Sequence, residues 1–329
     1  MDYQKCNIRL FAGFVAAILI FSGCAAQIQK PVRVCPGKES IAESLSSLRL
    51  QLENAVPLKA NGQCLLQYYA EDRKPKKENF PVKLWVNPVR SPHQQGSDVR
   101  RLTSNGVNPP VEIYMQGDVA FDPKGIVLGS NEDEFWLAIK LKEVSGYWWG
   151  RWSEEDYPEK LMISPRLVLE ALGIAAVGDI ESWSLSKEGA FDVLTKQEGG
   201  AKTRKIYINN GSTGSPSDSA SSLQARAKSR DCDYLVRRVE YFDDDGRATV
   251  VTELDKYKEL IKGFFVPTFI KIINRTDSNK EDLVQITLSS VKPANFTDKQ
   301  RKRLFIRPEP QGFKHIYKIV DGNVIEQPQ

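Results

Sequence analysis

The alternation of apolar and polar positions first becomes regular near residue 40, where it predicts an amphipathic helix. Ser40 followed by Glu43 forms a capping box, which is typical of a helix N-terminus. Apolar residues then recur along one helical face, at Ile41, Leu45, Leu48 and Leu52. We expect this helix to cover an apolar surface of the domain.

Beyond this helix, apolar and polar residues alternate with a period of two, which predicts β-strands. Such segments lie at residues 63–69, 82–86, 111–116, 125–129, 134–141, 147–152, 182–185, 191–196, 204–209, 234–242, 247–254, 264–274 and 283–291. Asp243-Asp244-Asp245-Gly246 is a strong hairpin signal between two of them. No long helices alternate with the strands, so the sheet should be antiparallel, and a sheet of about a dozen strands normally curls towards a barrel.

A second helix is predicted within this run of strands. Ser164 suits its N-cap, Pro165 its first turn and Gly173 its end. The apolar residues between these signals are Val168, Ala171 and Leu172. Farther along, residues 210–222 are rich in glycine and serine and predict a flexible surface loop.

The N-terminus has the order of a secretory signal, with Lys5 and Arg9 before an apolar run at residues 10–21. That run is well short of the roughly 20 residues that span a bilayer as a helix. Phe21-Ser22-Gly23-Cys24 resembles a lipobox, although leucine is usual in place of Phe21. We therefore expect a signal peptide at residues 1–23, acyl chains on Cys24 that anchor the protein to a membrane, and a tether at residues 24–38. The alternatives are an ordinary signal with a chance cysteine or an uncleaved anchor.

Three further cysteines lie in the part of the chain that we expect to be exported, namely Cys35, Cys64 and Cys232. An oxidising compartment favours disulfides, and an odd number allows at most one intramolecular pair. We favour Cys35 with Cys64, because the segment between them predicts one helix that folds back onto one strand. Three buried free thiols are the alternative. No CxxC spacing suggests a zinc site.

The strands supply candidates for a ligand site. Their alternation places apolar side chains on shared faces, including Leu84, Ile113, Met115, Phe135, Leu137 and Ile139. These faces would line a concave apolar pocket or fill a barrel core. Trp85, Tyr114 and Trp136 fall on the opposite face, where a helix or the C-terminal segment would cover them.

Residues 147–152 contain four aromatic side chains, a glycine and an arginine. Trp149 and Arg151 would suit the mouth of a lipid pocket or a membrane interface. The alternative is a strand end that packs beneath the second helix.

Composition and charge exclude several function classes. The 329-residue chain has a formal net charge of only +4, and its basic stretch, Lys299 to Lys314, would meet acidic head groups or remain solvated. Its two histidines, His93 and His315, have no ligand-like partners, and no GxSxG, HExxH or phosphate-binding glycine motif is present. We therefore expect no enzyme, no cofactor, no metal site and no nucleic-acid partner.

The order of elements resembles the LolA/LolB superfamily of lipoprotein carriers. The likeness lies in the first helix and the Cys64 strand, in residues 111–117, in Gly129-Ser130-Asn131 with Phe135-Trp136-Leu137, in residues 238–246 and 267–270, and in residues 305–308. It implies a mainly β fold, with an antiparallel sheet curled into an unclosed barrel and covered by helices.

The resemblance also implies a function. Residues 39–329 would form one LolA-like domain that binds lipid or acyl chains as a carrier or acceptor, and the lipobox is shared with LolB. The alternative is a structural cell-envelope lipoprotein that has a filled core and docks another envelope component. Ala25 rather than aspartate follows Cys24. By resemblance to the sorting rule of proteobacterial lipoproteins, this favours a periplasm-facing position at the outer membrane rather than the inner membrane.

Overall fold

The computed structural model describes residues 37–69, 74–88, 111–119, 122–142, 144–152, 163–174, 180–197, 202–209, 234–277, 280–320 and 323–328. The described residues belong to one compact unit, Val34–Gln329. The predicted signal peptide, nearly all of the tether and the loop at residues 210–222 lie outside them, as do Cys24, Cys35, His93 and Cys232.

The described residues form three helices and fifteen strands. The helices are α1 (Ile41–Glu53), α2 (Pro165–Ala171) and α3 (Asp298–Leu304), and a 3-10 turn lies at Ile180–Ser182. The strands are β1 (Leu58–Tyr69), β2 (Pro75–Pro88), β3 (Val111–Val119), β4 (Asp122–Ser130), β5 (Glu134–Lys140), β6 (Ser145–Arg151), β7 (Trp183–Glu188), β8 (Phe191–Gln197), β9 (Thr203–Asn209), β10 (Leu235–Phe242), β11 (Ala248–Ile261), β12 (Phe264–Asp277), β13 (Lys280–Pro293), β14 (His315–Val320) and β15 (Asn323–Glu326).

All fifteen strands belong to one sheet, in the order β15-β14-β6-β5-β4-β3-β2-β1-β13-β12-β11-β10-β9-β8-β7. Neighbouring strands are antiparallel except β14, which pairs in parallel with β6. The two edge strands, β15 and β7, do not pair with each other, so the sheet is not closed. The predicted fold class, a mainly β protein with an unclosed sheet and covering helices, is confirmed.

The position of α2 shows that the sheet curls. This helix contacts β3, β4 and β5 on one side and β11 on the other, although β2, β1, β13 and β12 separate β3 from β11 within the sheet. Only a curved sheet brings those strands to one short helix. The sheet therefore has an inner face that holds α2 and an outer face that is turned away from it.

Helix α1 has the amphipathic face that the sequence predicts. The Ser40 hydroxyl accepts a hydrogen bond from the Glu43 amide at 3.2 Å, whereas the Glu43 carboxylate accepts one from the Glu39 amide. Leu45 and Leu48 are buried in a cluster with side chains from β7 to β10. The helix thus covers the half of the sheet that α2 does not reach.

The C-terminal segment covers part of the outer face. Phe305 of this segment is buried against Tyr114, Trp136 and Tyr147, and Trp85 packs at the border of the same cluster. This confirms the prediction that the outward aromatic residues are covered. Helix α3 within this segment was not predicted, although Thr297 and Gln300 form a complete capping box at its start.

Gly62 permits the close approach of the two central strands. A Cβ atom added there would lie 2.2 Å from the Thr287 backbone oxygen, at the point where the β1–β13 register shifts. Backbone atoms cannot move aside as a flexible side chain can. Any larger residue must therefore separate β1 from β13.

We expect Gly62→Ala to lower the free energy of unfolding by about 1–3 kcal/mol, the usual cost of overpacking. Chemical denaturation measures this change. The exposed neighbour Asn61→Ala, which adds no atom at the contact, is the control. Equal stability of the two variants would contradict the role assigned to Gly62.

Candidate functional site

The inner face of β2 to β5 forms a continuous apolar surface, which we call the cleft face. Six of the predicted ligand-binding residues lie on it, namely Leu84, Ile113, Met115, Phe135, Leu137 and Ile139. They form rows across the sheet, since Met115 is opposite both Leu84 on β2 and Leu128 on β4, and Leu128 is opposite Leu137. All six side chains are at most 5 % exposed.

Helix α2 occupies the space in front of the cleft face. Its residues Leu167 and Val168, together with Leu172 just beyond its end, are buried in the same cluster as the cleft face. The sequence left two alternatives for this surface, an open pocket and a filled core. In this structure α2 packs against the cleft face, so the described part of that face is covered rather than open.

The structure separates Trp149 and Arg151 from the other six predicted ligand-binding residues. Both lie on the outer face, because the alternation of β6 turns Trp148 inward, where it is opposite Leu137. Trp149 packs in the outer cluster, with the Arg307 guanidinium 4.2 Å from its ring centre, and Arg151 is exposed. The two residues therefore do not line the cleft face, and Trp149 packs against the C-terminal segment rather than beneath α2, whereas their suggested role at a pocket mouth or a membrane interface stays a prediction.

A buried charged cluster holds α2 against the sheet. One Glu170 carboxylate oxygen accepts a hydrogen bond from Arg166 Nε at 3.2 Å on the same helix. The other oxygen lies 3.5 Å from Arg204 of β9 and accepts a hydrogen bond from the Tyr241 hydroxyl of β10. We call Glu170, Arg204 and Tyr241 the α2 clamp.

The environment of the clamp keeps its glutamate charged. Burial of Glu170 acts to raise the pKa of its carboxyl group, but the charges of Arg204 and Arg166, together with the hydrogen bonds from Tyr241 and Arg166, lower that pKa below its ordinary value. The Arg204 guanidinium also lies 5.6 Å from the ring centres of both Trp183 and Tyr241. Arg204 thus has aromatic and ionic partners inside the fold, which offset part of the cost of its burial.

Sequence reasoning missed the clamp, yet Glu170 leaves a signal in the sequence. It is the lone carboxylate in the apolar run Leu167-Val168-Leu169-Glu170-Ala171-Leu172. A buried carboxylate requires a cationic or hydrogen-bonding partner. Nothing in the local sequence identifies that partner, because Arg204 and Tyr241 are on strands far along the chain.

Cys64 is a buried free thiol in the structure, and because Cys35 lies outside the described residues the Cys35–Cys64 disulfide stays a prediction. Alternation in β1 turns its side chain to the inner face, opposite Phe80 of β2. Burial raises the pKa of the thiol to about 12, which keeps it protonated and unreactive at neutral pH.

The predicted basic stretch is partly used for internal packing. Arg301 forms two hydrogen bonds to the Glu112 carboxylate, at 2.8 and 3.0 Å, and Arg307 binds Glu134 at 2.9 Å. His315 is 2.8 Å from a Glu326 carboxylate oxygen across the β14–β15 pair.

Within the described ranges no group of three or more metal-binding side chains occurs, and no helix there has the length and hydrophobicity to cross a membrane.

The lowered pKa predicts how the clamp depends on pH. Its stabilisation is fully present above the ordinary glutamate value of 4.5 and is lost as the pH falls through the lowered value of the folded state. We expect Glu170→Gln to cost roughly 3 kcal/mol at pH 7, because it leaves Arg204 buried without its carboxylate.

Urea unfolding of the wild type and of Glu170→Gln, at pH 7 and below pH 4, tests this dependence. The stability difference between the two proteins should shrink at the lower pH. Glu188→Gln, an exposed glutamate on β7, is the matched control and should change little at either pH. A Glu170→Gln difference that is the same at both values would contradict a charged clamp.

The chain matches no family model and no curated protein. Its structure is similar to that of a LolA superfamily protein from Nitrosomonas europaea, with 11 % sequence identity and a TM-score of 0.41, over 80 % of this chain and 97 % of that one. It is also similar to a DUF1329 family protein from Desulfovibrio piger, with 11 % identity and a TM-score of 0.46, over 81 % of this chain and all of the other.

Proposed function

We propose that this protein is a bacterial lipoprotein, anchored through Cys24, that holds lipid acyl chains in the cleft when α2 moves away. The observation that supports this proposal is the apolar cleft face of an unclosed sheet, which the seven-residue helix α2 covers. An apolar cleft with few polar groups suits a hydrocarbon chain, and this surface offers no set of side chains for catalysis. We therefore expect a binding protein without enzymatic activity.

The energies of helix and acyl-chain burial are comparable. Burial of a leucine or valine side chain contributes roughly 1.5–3 kcal/mol, so Leu167, Val168 and Leu172 together contribute on the order of 5–9 kcal/mol. A buried methylene contributes about 0.8 kcal/mol, so about ten methylenes of an acyl chain would replace those contacts. An acyl chain can therefore compete with α2 for the cleft face.

The α2 clamp would set how much binding free energy a ligand needs in order to displace α2 from the cleft face. Moving α2 separates Glu170 from Arg204 and Tyr241, and separation of a buried ion pair costs several kcal/mol unless both charges reach water. A ligand that only matched the apolar contacts would leave the helix in place. Weakening the clamp should therefore increase lipid uptake.

We expect the unacylated chain from residue 25 onward to copurify with lipid or to take up an apolar fluorescent fatty acid. Native mass spectrometry and a fluorescence titration measure the two properties. Glu170→Gln should bind the probe more tightly, by on the order of tenfold, because α2 is released more readily.

Arg166→Gln is the matched control for that titration. Arg166 binds the same carboxylate from the helix surface, but its side chain is 21 % exposed and its replacement leaves Glu170 paired with Arg204. Its affinity for the probe should stay close to that of the wild type. The opposite result is absence of lipid and of saturable probe uptake in both the wild type and folded Glu170→Gln. That result would favour the other function, a structural envelope lipoprotein with a filled core. The present position of α2 also suits that function.

The proposed anchor has a separate test. Cells that express the full chain should incorporate a palmitate analogue into it, and Cys24→Ala should abolish the label, because that thiol is the predicted attachment point. Fractionation of the same cells tests whether the protein lies at the outer membrane. Labelling that survives Cys24→Ala would overturn the anchor but not the proposed cleft ligand.

A further inference from the structure

The outer face of the paired central stretches of β1, β2 and β13 carries lysines and no carboxylate. The paired stretches are Lys59–Gln67 of β1, Lys77–Trp85 of β2 and Leu283–Lys292 of β13. Their single acidic residue is Glu78, and alternation with buried Phe80 places it on the inner face. The outward lysines are Lys59, Lys77, Lys83 and Lys292, and all four are exposed. We call them the lysine face.

Two of these lysines are direct cross-strand neighbours. Lys59 of β1 is opposite Lys292 of β13, at a position where both side chains point outward. Like charges in directly opposite positions of an antiparallel pair repel each other and destabilise the sheet. An anion bound between them would remove that repulsion.

The neighbouring part of the sheet is arranged differently. Three cations on β10 and β12 are paired with carboxylates, namely Arg237 with Asp255 at 2.9 Å, Lys271 with Glu253 at 3.0 Å and Arg275 with Glu281 at 2.8 Å. On the lysine face the structure records one pair, Lys83 with Asp118 at 3.9 Å. The excess of positive charge is therefore a local property of the lysine face.

An aromatic side chain lies at the edge of the lysine face. Half-buried Trp85 is opposite Lys59 and packs against Tyr114, with ring centres 5.6 Å apart. Burial and the Asp118 charge raise the pKa of Tyr114, whereas the charge of Arg303 acts to lower it. Arg303, an exposed residue of α3, therefore lies close enough to act on the Tyr114 hydroxyl. A tryptophan bordered by lysine and arginine is a typical composition for a membrane–water interface.

We propose that the lysine face docks on the anionic head groups of a bilayer. The proposal rests on the proposed anchor, since acyl chains on Cys24 would keep the domain close to such a surface. The four spread cations of the lysine face complement the negative charge of lipid phosphates, and they repel a second copy of the same face. Docking would leave the opposite, inner face of the sheet turned away from the bilayer.

The test uses the unacylated chain from residue 25 onward, which contains the whole compact unit Val34–Gln329. We expect it to cosediment with vesicles that contain phosphatidylglycerol, to bind pure phosphatidylcholine vesicles weakly, and to lose binding as salt is raised. Lys59→Gln with Lys292→Gln should weaken vesicle binding by on the order of tenfold, because each surface lysine contributes about 1 kcal/mol near an anionic membrane.

Lys187→Gln with Lys262→Gln is the matched control. Both residues are exposed, lie outside the lysine face and produce the same change in net charge. This variant should keep nearly all of the vesicle binding. Equal loss in both double variants, or no binding of the wild type to anionic vesicles at low salt, would overturn the proposal. Neither result bears on acylation of Cys24, which the palmitate analogue reports independently.

Discussion

Successive side chains of a strand point to opposite faces, so a curled sheet that is apolar on its inner face buries that face only if other elements cover it. Here α1 covers one half, through Leu45 and Leu48, and α2 covers the other, through Leu167 and Val168. Neither helix is long enough to be stable alone, and each is held by contact with the sheet. The cleft therefore depends on a balance between sheet, helix and any competing apolar ligand.

Polar contacts determine where these covering elements are attached. Glu170 of α2 meets Arg204 inside the fold, and Arg301 of the C-terminal segment meets Glu112 on the outside. In both places an ion pair joins residues that are distant in sequence, which fixes position more than it adds stability. The apolar contacts around each pair supply most of the attraction and would tolerate small shifts. A single ion pair therefore selects one position of the covering element among several that the apolar contacts would allow.

The features that were predictable from the sequence are those with a local periodic signal. The α1 face, the hairpin at Asp243-Asp244-Asp245-Gly246 and the common face of Ile113 and Met115 follow from spacing alone. The face of Trp149 was not predictable from spacing, because either of the adjacent tryptophans Trp148 and Trp149 could point inward. Only the pairing of β6 with β5 decides which one does. Partners such as Arg204 for Glu170 require the three-dimensional fold, since no local pattern relates a helix to a strand beyond it.

The topology also has a consequence for how the chain folds. Central strand β1 is paired with β13, so Leu58 meets Pro293 only after most of the chain is available. Strand β6 likewise receives its outer neighbour, β14, from the last residues of the chain. Contacts between distant segments slow folding, and an incomplete chain would expose unpaired strand edges that promote aggregation. Truncation near the C-terminus would therefore leave β6 without its partner β14 and harm folding before it affected the cleft face.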